Sequence, residues 1–88
     1  MTKRRVVVTG LGIVSPVGND LTSSWNNIIN GVSGIDLITH FDTTNFATKF
    51  AGEVKNFSTD GFFDAKEARR TDRFIQMGVV AGVQAVRD

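Results

Sequence analysis

The chain opens with an almost uninterrupted apolar run. Residues 5–14 read Arg-Val-Val-Val-Thr-Gly-Leu-Gly-Ile-Val, with β-branched residues at consecutive rather than alternate positions. This pattern is typical of a strand that is covered on both faces, as in a parallel sheet. The next residues, 15–19, break the extended pattern, because Pro16 cannot donate to a ladder and Gly18 tolerates positive φ. We therefore predict a first strand over 5–14, followed by a turn.

Helical periodicity begins directly after this turn. Asn19 or Asp20 can cap the start of a helix, and Gly31 can close its end. The spacing i, i+4, i+7 and i+8 places four apolar side chains on one helical face: Leu21, Trp25, Ile28 and Ile29. The opening of the chain is thus predicted to be a β-turn-α unit.

A second strand is predicted over residues 47–55, where apolar and polar positions alternate. Residues 35–38 are apolar but short, and residues 41–46 mix turn formers with aromatic side chains, so we interpret this region as a loop. A right-handed crossover would place the two predicted strands side by side and parallel.

Two helices are predicted near the end of the chain. Asp64 and Glu67 have the spacing of a capping box, so a short helix begins there. Residues 74–86 are apolar or small nearly all round, which is typical of a buried helix. Four small residues would let a neighbouring backbone approach this helix closely: Gly78, Ala81, Gly82 and Ala85.

The order strand, helix, strand, helix, helix indicates an α/β fold. Two strands do not complete a sheet, and a strand as apolar as residues 6–14 needs neighbours and layers on both faces. The remaining roughly 70 residues cannot supply all of these. We therefore expect the chain to be part of a larger protein or to complete its hydrophobic core with residues of a partner.

Composition excludes several kinds of chemistry within these 88 residues. There is no Cys, which excludes a disulfide scaffold, a Cys-ligated zinc site and a thiol nucleophile. The only histidine, His40, cannot by itself form a two-His metal site or a Ser-His-Asp set, and we interpret it as structural. No cofactor or metal is predicted.

Charge and hydropathy also limit the partners. Ten Lys and Arg balance nine Asp and Glu. This balance argues against binding to nucleic acid or to an anionic membrane through overall positive charge. The longest nearly apolar stretch, residues 78–86, is about half of the ~20 residues needed to cross a bilayer. We expect a cytoplasmic protein with no nucleic-acid or membrane partner.

Gly10 and Gly12 raise the possibility of a dinucleotide-binding turn. The G-x-G-x-x-G pattern fails, because its third glycine is replaced by Ser15. A glycine-rich bend between a core strand and its helix is the favoured interpretation.

The charged stretch 64–73 concentrates its cations on one side of a helix. With Lys66 at 0° and about 100° per residue, Arg70 lies near +40°, Arg73 near −20° and Arg69 near −60°. The acidic residues of the stretch fall outside this arc. Two interpretations stay open: a solvated helix face, or a docking patch for an acidic partner, since Arg can hold carboxylate or phosphate in a bidentate manner.

These residues together resemble a known family. Residues 6–18, Val-Val-Val-Thr-Gly-Leu-Gly-Ile-Val-Ser-Pro-Val-Gly, resemble the opening of the β-ketoacyl-acyl carrier protein synthases. The resemblance continues in order through the rest of the chain: Trp25, residues 31–35, residues 47–52, residues 72–76 and residues 81–85. His40-Phe41-Asp42-Thr43 resembles the type II enzyme more than the type I enzyme.

The resemblance implies a thiolase-like fold of duplicated α/β halves, a mixed sheet covered by helices, usually in a homodimer. It also implies condensation of malonyl-acyl carrier protein with an acyl thioester, with loss of CO₂, by a Cys, two His and a Lys. None of that set is expected in these residues, because they contain no Cys, His40 does not occupy a catalytic motif of the family, and the family's catalytic residues lie further along the chain. Residues 1–88 are therefore expected to be the N-terminal segment of the first half of a ketosynthase domain, without separate domains and inactive alone.

The resemblance also favours one interpretation of the basic helix. In the family a short basic helix at this point contributes to docking the acidic carrier protein, and Lys66, Arg69 and Arg70 match its positions. Two alternatives from another class are a non-catalytic, chain-length-factor-like partner subunit and a truncated interaction module.

Overall fold

The computed structural model describes residues 3–88 and contains five regular elements. Three helices and two short strands follow one another along the chain: α1 (Leu21–Ile29), β1 (Ile35–Leu37), β2 (Phe50–Gly52), α2 (Ala65–Arg70) and α3 (Arg73–Arg87). Helices combined with a small sheet agree with the predicted mixture of α and β structure.

The strand predicted over residues 5–14 is wrong for this structure. The segment has no strand neighbour within residues 3–88, and a strand is defined by its hydrogen-bonded partner. It lies instead against the end of α3, where the Leu11 amide donates to Asp88 Oδ2 (2.9 Å) and the Ile13 amide donates to Gln84 Oε1 (3.1 Å). Val6 remains 93% exposed, so the apolar pattern indicates neighbours that these residues do not provide.

Gly10 and Gly12 allow this segment to approach α3. A Cβ atom at Gly10 would collide with the carbonyl oxygen of Ala85, and one at Gly12 with that of Ala81. The predicted close approach of a backbone to the small residues of α3 is therefore confirmed at Ala81 and Ala85. A Cβ added at Gly78 or at Gly82 would meet open space, so the close approach does not extend to these two glycines.

Helix α1 begins and ends where its sequence signals predict. Asp20 is the N-cap, and its Oδ1 accepts a hydrogen bond from the Ser23 amide at 2.8 Å. Gly31, with φ of +70°, directly follows the C-cap residue Asn30. The predicted apolar face is present, but it is open to solvent, with Trp25 60% exposed.

Strands β1 and β2 are antiparallel. The parallel pairing predicted between residues 5–14 and residues 47–55 is wrong within residues 3–88, because residues 5–14 form no strand there and β2 pairs with β1 instead. Ile35 pairs with Gly52 and Leu37 with Phe50. Residues 38–49, which connect the strands, contain no helix, and parallel neighbours need a long crossover whereas an antiparallel pair needs only a reversal. The predicted loop at 35–38 therefore contains a strand, and the predicted strand at 47–55 is shorter than expected.

The apolar faces do not close over a core. The prediction that α3 is buried is wrong within these residues, because Val80 is the only fully buried hydrophobic residue in the described part of the chain and Phe74 is 71% exposed. The accessible surface is 7114 Å², whereas a compact monomer of this mass exposes about 5,100 Å². The radius of gyration is 16.7 Å, against about 12 Å for a compact domain of this length.

None of the helices in the described residues has the length and apolar character required to cross a membrane.

Candidate functional site

The basic residues selected from the sequence lie on α2, a helix of only six residues. A helix this short is marginal unless its ends are satisfied. At its start, Asp64 Oδ1 accepts a hydrogen bond from the Glu67 amide at 2.7 Å, as the predicted capping position requires. At its end, the Thr71 hydroxyl donates to the Glu67 carbonyl oxygen at 2.7 Å. Side chains at both ends therefore fix the helix.

Lys66, Arg69 and Arg70 form one outward surface, which we call the basic face. All three side chains are exposed, and on a helix of 100° per residue they span about 100° of arc. Ala68 lies near 200° on the same scale, opposite the arc, and it is the half-buried residue of α2. The buried side of the helix thus turns the basic face toward solvent.

The cations of the basic face have no carboxylate partners within residues 3–88. The salt bridge found in this part of the chain joins His40 to Glu53 and lies outside α2. Arg69 and Arg70 occupy the last turn of α2, where the helix dipole favours positive charge. The three charges are therefore available to an external anion.

Arg73 does not share this surface, so its predicted place on the same helical arc is wrong. Thr71 has φ of −112° and ψ of 131°, which ends α2, and α3 begins at Arg73 itself. The guanidinium of Arg73 lies over the ring of Phe57, 5.2 Å from its centroid. The pair Thr71-Asp72 was the available sequence signal, because such residues favour positions at a helix start over positions inside one.

His40 belongs to a hydrogen-bonded turn organised by Glu53. His40 Nε2 lies 3.4 Å from Glu53 Oε2, and the same carboxylate accepts hydrogen bonds from the Thr39 amide, the Thr39 hydroxyl and the His40 amide. Partial burial opposes ionisation of Glu53, but the hydrogen bonds from Thr39 and His40 hold the pKa of its carboxyl below its usual value. These contacts tie the chain after β1 to the chain after β2.

A cleft of about 470 Å³ lies between the turn at 15–20, α1 and residues 55–56. The cationic side chain that lines this cleft is that of Lys55. Its Nζ donates hydrogen bonds to the carbonyl oxygens of Gly34 (3.1 Å) and Glu53 (3.2 Å). Neither His nor Cys lines this cleft. Within residues 3–88 no group of three His, Cys, Asp or Glu side chains is arranged to hold a metal ion.

Comparison with known proteins identifies the family. Residues 3–88 match the family model described as "Beta-ketoacyl synthase, N-terminal domain". The chain belongs to the β-ketoacyl synthase family. The resemblance seen in the sequence is thereby confirmed over nearly every residue of this ketoacyl synthase segment.

Three curated relatives indicate which type of synthase the segment resembles. It is 57% identical over 88 residues to a protein of Vibrio cholerae, covering 100% of this chain and 21% of the relative. A Vibrio harveyi protein is 56% identical over 88 residues, with the same coverage. A Staphylococcus aureus protein is 51% identical over 85 residues, covering 97% of this chain and 20% of the relative. All three are named "3-oxoacyl-[acyl-carrier-protein] synthase 2", which confirms the resemblance to the type II enzyme.

The synthase segment spans about a fifth of the length of these relatives.

Proposed function

We propose that this segment is part of a condensing enzyme of fatty-acid elongation. The enzyme is a β-ketoacyl-acyl carrier protein synthase, an acyltransferase that joins malonyl-acyl carrier protein to an acyl thioester with loss of CO₂. The family match over residues 3–88 and the names of the relatives support this activity, and they do not favour a non-catalytic partner subunit. The segment supplies the N-terminal part of the first half of a thiolase-like domain, in a cytoplasmic homodimer that needs no cofactor.

The chemistry of such an enzyme requires groups beyond these residues. A thiolate accepts the acyl chain, and imidazoles stabilise the enolate that forms as CO₂ leaves. The segment contains no Cys, and His40 is engaged with Glu53. What these residues contribute is therefore framework and recognition.

The recognition we assign to the segment is docking of the acidic acyl carrier protein on the basic face. The observation that carries this proposal is the exposure of Lys66, Arg69 and Arg70 on one side of α2, without carboxylate partners among residues 3–88. Arg69 and Arg70 can hold a carboxylate or phosphate in a bidentate manner, and Lys66 adds a point charge. Charges arranged in this way steer association and fix orientation more than they add affinity.

Reversal of all three charges tests the docking surface. Each exposed contact contributes about 0.2 to 1 kcal/mol, so single alanine changes have small effects. We expect the triple variant Lys66→Glu, Arg69→Glu, Arg70→Glu, made in a full-length synthase that carries this segment, to raise the KM for acyl-carrier protein about tenfold or more, because like charges now face the partner. The KM for a short carrier-free thioester should change much less.

A matched control is available in the same chain. Lys3, Arg4 and Arg5 are also three exposed cations, and their reversal to Glu changes the net charge by the same amount at a different place. We expect this control to leave the KM ratio between the two substrates near the wild-type ratio. Equal losses on carrier-bound and carrier-free substrates in a folded Lys66, Arg69, Arg70 variant would mean that α2 supports the active site structurally, and the docking proposal would be withdrawn.

A further inference from the structure

The end of α2 depends on a side chain from the following helix. The last carbonyl groups of a helix have no donors within the helix. Gln76, on the first turn of α3, donates through Nε2 to the carbonyl oxygen of Ala68 at 2.7 Å and to that of Thr71 at 3.1 Å. The first acceptor belongs to α2 and the second to the kink between the helices. One amide group thus joins α2, the kink and α3.

Within residues 3–88, the packing of α2 is limited to the half-buried Ala68 side. The helix has no buried residue, and the backbone bond that closes its end, from the Thr71 amide to the Ala68 carbonyl oxygen, is long at 3.4 Å. The Gln76 side chain is half-buried at the junction, and its NH₂ group has two donor hydrogens, one for each carbonyl. These two hydrogen bonds are therefore a direct restraint on the angle between α2 and α3, because they join the first turn of α3 to the last turn of α2 and to the kink.

We propose that Gln76 is a positioning residue for carrier-protein docking, which holds the basic face at a fixed angle to α3. This inference rests on the docking role proposed above for Lys66, Arg69 and Arg70. The Gln76 amide is neutral and does not add to the positive field of α2. Its effect on the carrier protein is therefore transmitted through geometry, because three charges on a fixed surface meet an acidic partner in one orientation and mobile charges do not.

The test is the variant Gln76→Met in a full-length synthase. Met keeps the length and flexibility of the side chain and removes both donors. We expect the KM for acyl-carrier protein to rise about three- to tenfold, the range expected for loss of neutral hydrogen bonds. The kcat should stay near the wild-type value, as should the KM for a short carrier-free thioester. In hydrogen exchange, the peptide covering residues 64–72 should lose protection.

Gln84 provides a matched control on the same helix. Its Nε2 donates to the Asn19 carbonyl oxygen at 2.6 Å, and its Oε1 accepts from the Ile13 amide, so it also binds backbone but far from α2. Gln84→Met should loosen the contacts of residues 13–19 without changing the KM ratio between the two substrates. Gln76→Leu, which also lacks donors, serves as a second variant if Gln76→Met does not fold.

The outcomes separate this inference from the docking proposal. If the triple charge reversal raises the KM for acyl-carrier protein but Gln76→Met does not, the docking role stands and the role of Gln76 is wrong. Unchanged exchange over residues 64–72, or equal effects from Gln76→Met and Gln84→Met, would also overturn it. If neither the triple variant nor Gln76→Met affects carrier-bound substrate selectively, both proposals are wrong, and exchange over 64–72 still reports whether Gln76 orders α2.

Discussion

The isolated 88-residue chain should not form a stable monomer. Truncation of a full-length synthase to these 88 residues would leave exposed the apolar side chains that lie at the surface of this segment. Its 7114 Å² of accessible surface exceeds the surface of a compact protein of its mass by about 2,000 Å². Somewhat more than half of a protein surface is apolar, so at about 25 cal/mol per Å² the missing burial corresponds to roughly 30 kcal/mol as an upper estimate.

This deficit is larger than the net stability of ordinary domains, which is about 5 to 15 kcal/mol. No disulfide compensates, because the chain contains no Cys. The exposed apolar side chains indicate where burial is missing: Val6, Val8, Trp25, Phe74 and Val86 are all more than half exposed.

Hydrogen exchange on the purified 88-mer, with sedimentation to establish that it is monomeric, measures the consequence. We expect little protection across residues 6–14, while the same peptide within a full-length synthase exchanges slowly. A cooperative thermal transition together with slow exchange over residues 6–14 in a proven monomer would show that the segment is stable on its own and would contradict this prediction.

Two further predictions concern activity and pH. When the 88-mer is incubated with malonyl-acyl carrier protein and an acyl-acyl carrier protein, it should give no β-ketoacyl product above a no-enzyme control. The reason is that it has no Cys and that its one His lies in the turn organised by Glu53. Measurable turnover would contradict the proposal that the catalytic groups lie outside these residues. The pKa of Glu53 lies below its usual value in the folded state, so the stabilisation that its hydrogen bonds provide is present above the unfolded pKa of about 4.3 and is lost as pH falls through the lower folded pKa. Between pH 6 and pH 3, Glu53→Gln should therefore reduce the acid-induced fall in the thermal unfolding midpoint of a full-length synthase, and identical pH profiles for variant and wild type would count against this role.

Local signals in the sequence predicted local structure well. Asp20 and Asp64 cap the helices that their spacing indicates, and Gly31 ends α1 with positive φ. These features depend on hydrogen bonds between residues three or four positions apart, which the sequence contains in full. The phase of Lys66, Arg69 and Arg70 on α2 was predictable for the same reason.

Features that depend on distant neighbours were predicted incorrectly. Residues 5–14 have the composition of a buried strand, but a strand exists only beside another, and the described residues place α3 there instead. The predicted parallel pairing of this segment with residues 47–55 failed with it, because β2 pairs with β1 instead and runs antiparallel to it. The contact between Gln76 and the end of α2 also left no sequence signal, since the acceptors are backbone carbonyl groups that any residue provides.

The separation between local and distant information explains why a docking surface can be proposed from this segment although its core could not be predicted. Which cations share the surface of α2 follows from helical phase, and phase needs only the cap at Asp64 and the break at Thr71. Where that surface points depends on the kink, and the Gln76 side chain bonds carbonyl groups on both sides of it. Charge and orientation are thus set by different residues. A variant of the basic face changes the field seen by a partner, whereas a variant of Gln76 changes only the geometry, so comparison of the two distinguishes electrostatic attraction from alignment.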